Sequence, residues 1–168
     1  MQRVAVIGNP GAGKTTFSRK LAAKTKLPVI HMDFYYHQTD QDYGNNPENW
    51  DAKVEELINQ DAWIMDGNYN IHVGNRLKRA DSIFYFDFPS RRSLHGVIKR
   101  RIHYRNKLRE EMPNDWEEKV QFSFLVYVLR YRRKHRKRTL QALSDYPEKT
   151  VVIFTNRRQA DEYLAKFP

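Results

Sequence analysis

Short apolar segments alternate with amphipathic segments along the chain. Apolar segments without polar alternation predict strands covered on both faces, and apolar residues spaced by three and four predict helices. The predicted strands are residues 3–7, 27–32, 62–65, 82–86 and 150–154. The predicted helices are residues 13–24, 47–59, 70–79, 90–105, 116–143 and 158–166. This alternation predicts an α/β protein with a parallel sheet and right-handed crossovers.

Two segments lack both patterns, and we predict that they are loops. Residues 34–49 are aromatic and polar, and a loop of this length is more often functional than not. Residues 106–115 are polar and include a proline. In the helix that follows the fourth strand, the residues predicted to face inward are Leu94, Val97, Ile98 and Ile102.

Composition narrows the class of protein further. A chain of 168 residues favours one domain, here 1–168, with enough core to fold unaided. No apolar stretch approaches the roughly 20 residues that span a bilayer, and the N-terminus lacks signal-peptide organisation. The absence of cysteine excludes disulfides and thiolate metal sites. We therefore expect a cytoplasmic protein without membrane contact.

The first predicted strand leads into the sequence Gly8-Asn9-Pro10-Gly11-Ala12-Gly13-Lys14-Thr15. Its spacing, G-x-x-x-x-G-K-[ST] between a strand and a helix, is the P-loop. Glycines leave the backbone N–H groups accessible to phosphate oxygens, and the helix N-terminus adds a positive dipole end. The Lys14 side chain can reach the β- and γ-phosphates, and the Thr15 hydroxyl can ligate Mg²⁺.

Two aspartates lie where predicted strands end, at the edge where parallel sheets bind ligands. Asp66 fits a carboxylate that holds Mg²⁺ directly or through water, although Asp-Gly is also common in ordinary turns. Asp33 fits a general base for a hydroxyl acceptor, a residue that holds water on the metal, or a helix cap. We interpret His31 as a structural residue, and Asp87 as a turn residue or one that supports the site.

Arginines cluster at both ends of the helix predicted over 90–105. Arginine binds phosphate oxygens in bidentate fashion, so at least one of them is expected to serve phosphates, while a solvated basic face is the alternative for any single one. Arg101 and Arg105 are i,i+4 neighbours beside the following loop, and we select them as candidates for the transferring phosphoryl group. The cluster comprises Arg91, Arg92, Arg100, Arg101 and Arg105.

A second basic segment, residues 130–138, accounts for much of the net charge of +10. Basic residues interleaved with aromatic ones can bind nucleic acid, and the tyrosines at 127 and 131 are close by. The segment also fits a solvated helix end, or a helix that packs its arginines towards the nucleotide. The sequence leaves these three interpretations open.

Several motifs together carry a family resemblance over nearly the whole chain. They lie at residues 3–15, 27–33, 63–69, 79–87, 99–105 and 131–136, and include Ile-His-Met-Asp and Asp-Gly-Asn-Tyr. With these motifs the chain resembles the adenylate-kinase-related proteins called DNA topology modulation (FlaR-type) proteins. One departure stands out, because adenylate kinases carry Asp-Gly-Phe-Pro-Arg where this chain has Asp66-Gly67-Asn68-Tyr69-Asn70.

The resemblance implies the P-loop NTPase fold of nucleoside and nucleotide kinases, with ATP and Mg²⁺ as cofactors. It implies a five-stranded parallel sheet in the order 2-3-1-4-5, with a lid region at about 100–118. The residues from Gly8 to Thr16 match the nucleotide loop, Asp66 the metal position and Asp33 the strand-end base. The residues that match the adenine-binding position are Asn156, Arg157 and Arg158.

Two functions follow from these observations. The first is ATP- and Mg²⁺-dependent phosphoryl transfer to a small nucleoside- or nucleotide-like acceptor, with Lys14, Asp33, Arg101 and Arg105 as catalytic residues and Thr15 and Asp66 at the metal. The alternative is a nucleotide-binding protein that contacts DNA non-specifically through its basic helices and hydrolyses ATP slowly or not at all. The sequence does not distinguish them.

Overall fold

The computed structural model describes residues 1–38, 43, 46–68, 73–105, 112–113 and 121–168. Its strands are β1 (Arg3–Gly8), β2 (Val29–His31), β3 (Trp63–Asp66), β4 (Ser82–Phe86) and β5 (Thr150–Phe154). Its helices are α1 (Lys14–Thr25), α2 (Met32–Tyr36), α3 (Pro47–Ile58), α4 (Val73–Arg79), α5 (Ser90–His103), α6 (Phe122–Ser144) and α7 (Arg157–Lys166). No helix among the described residues is long and apolar enough to cross a membrane.

The strands form one five-stranded sheet in the order β2-β3-β1-β4-β5. All four pairings are parallel, with β1 between β3 and β4. The α/β class, the parallel sheet and the strand order are therefore confirmed. Because parallel strands end at the same edge, the residues that follow β1, β2 and β3 meet there.

The alternation of side chains along β1 divides the core between the two faces of the sheet. Ala5 and Ile7 pack into a cluster with apolar residues of α3 and α4 and the end of α6. Val4 and Val6 pack into a second cluster with α1 and α7. In that second cluster, the ring of Phe17 lies 4.9 Å from the ring of Phe84. The sheet is thus covered on both faces, which explains its uninterrupted apolar strands.

The segment predicted as a loop over 34–49 begins instead inside a short helix, α2. Met32 is fully buried, and Tyr35 and Tyr36 pack against the core cluster beside it. This burial fixes one helical turn, and five residues are too few to show a helical period in the sequence. Residues 39–42 and 44–45 lie outside the described part of the chain.

Two predictions about the later helices need correction. The helix predicted over 116–143 begins at Phe122, because the backbone of Gln121 is extended and its carbonyl caps the first turn. Ile98 and Ile102, predicted to face inward, are exposed by 45% and 71%. α5 instead buries its smaller residues, and the reason is its close approach to the P-loop. Most of the predicted lid, 106–111 and 114–118, lies outside the described residues.

Candidate active site at the carboxyl edge of the sheet

The loop between β1 and α1 has a backbone that only glycine can adopt at key points. Gly8, Gly11 and Gly13 have φ values of 125°, 75° and 93°, in the left-handed region. A Cβ at Gly8 would collide with the carbonyl oxygen of Phe86, and one at Gly11 with the carbonyl oxygen of Ser93. The glycines of the motif therefore serve both backbone conformation and close packing.

Two neighbouring elements support this loop. Gly96 of α5 lies so close to Gly11 that a Cβ on Gly96 would collide with the Gly11 carbonyl oxygen. Asn9 is fully buried and is held by two hydrogen bonds to residues at and after the end of β4. Its backbone N–H donates to the carbonyl oxygen of Phe86 at 3.0 Å, and its side-chain amide donates to the carbonyl oxygen of Phe88. Asn9 therefore shapes the loop with its side chain.

The other residues of the predicted nucleotide loop occupy its outer part and the start of α1. Ala12 is buried, Pro10 is partly buried, and Thr16 is exposed. The N-cap residue of α1 is Gly13, which has no side chain to accept hydrogen bonds from the first N–H groups of the helix. Such N–H groups are available to an anion.

The Lys14 ammonium lies over the loop that carries it. Its Nζ donates to the carbonyl oxygens of Gly8 at 2.8 Å and Asn9 at 3.1 Å. Burial, the largest influence, lowers the pKa of Lys14, and the carboxylates of Asp66 and Asp33 act in the opposite direction. The structure thus brings Lys14 together with both predicted aspartates.

Asp66 ends β3 and is almost completely buried, with 5% exposure. Burial is the largest influence and would raise the pKa of Asp66. Hydrogen bonds from His31 and Thr15, with the charge of Lys14, outweigh burial, so the pKa of Asp66 lies below its ordinary value. An ionised carboxylate beside a threonine hydroxyl is the pair predicted for Mg²⁺.

Asp33 lies in the first turn of α2, two residues after the end of β2 at His31. It is exposed, and its charge acts on the Lys14 ammonium and on the hydroxyl of Tyr127 in α6. Asp33 therefore lies on the open side of the edge, within electrostatic range of the P-loop lysine and facing the helix that follows the predicted lid.

One arginine of the predicted cluster has a defined electrostatic relation to the loop. Arg100 is partly buried, and its charge lowers the pKa of Lys14. Arg101 and Arg105 are exposed. The sequence led us to choose the i,i+4 pair, and it gave no reason to expect the electrostatic effect of Arg100 on Lys14.

Arg76 of α4 is a fully buried arginine that the sequence analysis did not single out. Its guanidinium donates to the carbonyl oxygen of Gly67 at 2.7 Å and to that of Asn68. The side-chain oxygen of Asn68 in turn accepts a hydrogen bond from the backbone N–H of Gly8 at 3.0 Å. Arg76 therefore holds the segment after β3 against the P-loop, and its charge reaches Lys14. An arginine in a short polar helix gives no sequence signal of burial.

The predicted adenine-binding residues follow β5 and do not act alike. Asn156 caps α7 with its side chain. The guanidinium of Arg157 lies over the end of the P-loop, 3.5 Å from the position of a Cβ on Gly13. Arg158 instead pairs with Glu162 at 2.6 Å and is exposed. Only Arg157 of the three is thus placed against the nucleotide loop.

The second basic segment divides into two sets of residues. Arg132 and Arg136 bind the carboxylate of Asp87, at 2.8 Å and 2.7 Å, and that carboxylate is only 2% exposed. Asp87 follows β4, so this ion cluster ties α6 to the strand that supports the P-loop. The other cations of the segment are exposed and form a surface that we call the basic ridge, comprising Arg130, Arg133, Lys134, Lys137 and Arg138.

The residues present fit a nucleotide and a divalent cation. The first N–H groups of α1 carry no side-chain cap at Gly13, and one hydroxyl and one carboxylate, those of Thr15 and Asp66, lie together close to Lys14. Among the described residues, no group of three or more His, Asp or Glu side chains could hold a metal by itself. Mg²⁺ usually takes one or two protein ligands and completes its shell with water and phosphate oxygens.

The strand order of the sheet and the P-loop after β1 together define a P-loop kinase fold. The crystal structure of the shikimate kinase from Bacteroides thetaiotaomicron superposes on the chain with a TM-score of 0.56 and 16% sequence identity, covering 98% of this chain and 95% of that one. No protein-family model matches the sequence. No curated protein matches it either. The comparison therefore shows the fold.

Proposed function

We propose that the protein transfers a phosphoryl group from ATP, with Mg²⁺, to a hydroxyl group of a small nucleoside- or nucleotide-like acceptor. The observation that carries this proposal is the convergence of Lys14, Asp66 and Asp33 at one edge of the sheet. A nucleotide-binding site alone needs the loop and the metal carboxylate. The exposed carboxylate of Asp33 on the open side supports a second substrate.

The binding roles follow from the geometry. The backbone N–H groups of residues 8–15 would hold the phosphates, and Lys14 would exchange its two carbonyl partners for β- and γ-phosphate oxygens. Thr15 and Asp66 would hold Mg²⁺, which neutralises phosphate charge when bound. Arg157 would lie beside the nucleotide, where the resemblance also places Asn156 and Arg158.

Asp33 is proposed to accept the proton of the acceptor hydroxyl as its oxygen bonds to the γ-phosphorus and the bond to the leaving ADP breaks. Arg100 would stabilise charge on the transferring group, because it already lies within electrostatic range of Lys14. Arg101 and Arg105 are proposed to act on the same group as exposed residues in the first part of the predicted lid.

The test is ADP release from ATP and Mg²⁺ in the presence of separate nucleosides, nucleoside monophosphates, shikimate and other small hydroxyl compounds. We expect one class of compound to raise ADP release by orders of magnitude and to become phosphorylated itself. Lys14→Ala should lower that rate by about 10²-fold or more. Slow release that no compound stimulates would overturn the kinase proposal.

Asp33→Asn separates the base from the nucleotide site. If Asp33 accepts the hydroxyl proton, the variant should lose about 10²- to 10⁴-fold in kcat and keep the affinity for Mg²⁺ and a non-hydrolysable ATP analogue. A loss of nucleotide affinity equal to the loss of rate would place Asp33 at the metal instead.

We also propose a second function, non-specific contact with DNA through the basic ridge. On the motifs given above, we further propose that the chain is a member of the DNA topology modulation (FlaR-type) proteins. The five ridge cations are exposed on one helix, whereas Arg132 and Arg136 are engaged with Asp87. Phosphate backbones bind such surfaces without sequence preference.

Replacing all five ridge cations with glutamine tests this second function. The wild type should retain DNA with an affinity that falls steeply with salt, by a log–log slope of up to about −4.5 for five phosphate contacts, and the variant should lose retention while its ADP release is unchanged. Retention that survives the substitution, or shows no salt dependence, would exclude the ridge.

A further inference from the structure

His31 and Asp66 are neighbours by strand pairing. β2 and β3 are parallel, and in their register His31 lies directly beside Asp66. His31 Nδ1 is 3.2 Å from Asp66 Oδ2. The two side chains are 16% and 6% exposed. The contact is therefore fixed by two hydrogen-bonded strands and shielded from most solvent.

The direction of this hydrogen bond is set by chemistry. A carboxylate is ionised at neutral pH by its ordinary chemistry, and an ionised carboxylate only accepts hydrogen bonds. The Nδ1 of His31 therefore carries the hydrogen and donates it to Oδ2.

The remaining contacts of Asp66 point to a carboxylate prepared for a ligand. Thr15 hydrogen-bonds to it and Lys14 is close to it, so the residues around Asp66 are those proposed to hold the nucleotide and its metal. Ligating carboxylates depend on hydrogen bonds from neighbouring residues for their orientation, and loss of such a partner typically weakens metal binding by about 10- to 100-fold.

We propose that His31 is a positioning residue, which orients the Asp66 carboxylate for the divalent cation that binds with the nucleotide. This inference rests on the proposed function, since it requires the metal site at Thr15 and Asp66. It assigns to His31 a role in metal affinity, beyond its place in the sheet.

The test measures the binding of a non-hydrolysable ATP analogue by calorimetry, with and without Mn²⁺. It measures the binding of Mn²⁺ by electron paramagnetic resonance. His31→Ala should weaken Mn²⁺ binding in the ternary complex by about 10- to 100-fold and leave metal-free affinity for the analogue unchanged. His31→Asn, which keeps an N–H donor near the Nδ1 position, should restore most of the metal affinity. His95→Ala is the matched control, since that histidine is exposed on α5.

The outcomes separate this inference from the proposed function. A wild type that binds neither the analogue nor the metal overturns both. A wild type that binds the pair tightly, with His31→Ala equal to it, overturns only the role of His31. If His31→Ala loses the same affinity for the analogue with and without metal, the role of His31 is structural and the inference is overturned. If His31→Ala unfolds, the comparison of His31→Asn with His31→Leu decides, because only the asparagine retains the donor.

Discussion

Single glycines decide how closely α5 approaches the P-loop. A Cβ on Gly96 would collide with the Gly11 carbonyl oxygen, so Gly96→Ala must displace either the helix or the loop. We expect a loss of about 1–3 kcal/mol in the free energy of unfolding, as for other overpacked sites, and a weaker affinity for the ATP analogue. Urea unfolding and calorimetry measure the two effects.

Gly74 provides the matched control, because nothing in the described part of the chain lies within 4 Å of the position of its Cβ. Gly74→Ala should stabilise the protein by about 0.5–1 kcal/mol, since alanine loses less backbone freedom in a helix. If both alanine variants behave alike, helix propensity alone explains them and the contact of α5 with the loop does not matter.

Residues of the site differ in how far the sequence predicts them. The P-loop residues follow from a local motif, because eight consecutive positions make the whole cradle. His31 and Arg76 act through partners that are distant in the chain, Asp66 for the first and Gly67 and Asn68 for the second. Strand register creates the first contact, and the sequence alone does not give that register.

At the level of elements, the ion cluster of Asp87 with Arg132 and Arg136 joins β4 to α6. Replacing both arginines with methionine would leave a buried carboxylate without these partners. We expect a loss of about 3 kcal/mol, the lower end of the range for broken buried pairs, because the arginines are themselves 36% and 45% exposed.

A double-mutant cycle checks this assignment. Adding Asp87→Asn to the two methionines should recover a large part of the lost stability, since the buried charge is removed. The matched control replaces Arg130 and Arg133 of the basic ridge with methionine and should change stability by no more than about 0.5 kcal/mol. Additive losses without recovery would show that the cluster contributes little.

The elements themselves were predictable where their pattern is long or strictly apolar. β4 and β5 match the predicted bounds, and Pro47 starts α3 as its position in the sequence indicates. α2 was missed because burial of Met32 fixes it. In α5, Val97 is buried as predicted, but Ile98 and Ile102 are exposed because the helix approaches the P-loop through Ser93 and Gly96. Both errors come from tertiary contacts that override local pattern.

For the whole molecule, buried tyrosines should limit stability in alkali. Burial and, next, the charge of Asp87 raise the pKa of Tyr85 to about 12, and burial likewise raises the pKa of Tyr131. Because the folded-state pKa exceeds the unfolded value, this stability is complete below pH 10 and is lost as pH rises towards 12.

Absorbance titration of the tyrosines, followed together with near-ultraviolet circular dichroism, measures this effect. Of the ten tyrosines, at least Tyr85 and Tyr131 should ionise only as the tertiary signal disappears. Tyr85→Phe should reduce the alkaline loss of stability. Ionisation of all ten near pH 10 with the tertiary signal intact would contradict the buried state of these side chains.

The net charge of +10 illustrates what the sequence leaves undecided for the whole molecule. A linear chain shows a run of cations at 130–138, but helical geometry and one buried carboxylate divide it into two engaged arginines and five exposed cations. Substitutions chosen by sequence position alone would have mixed the two sets and confused stability with binding.

The central position of β1 has a consequence for synthesis on the ribosome. β1 is made first, yet its partners are residues 63–66 and 82–86. A nascent chain that has not yet exposed β4 lacks one side of the central strand and the carbonyl oxygens of Phe86 and Phe88 that hold Asn9. Nucleotide should therefore be unable to assist folding until Phe86 and Phe88 have emerged, and shorter nascent chains depend on other protection for the apolar residues of β1.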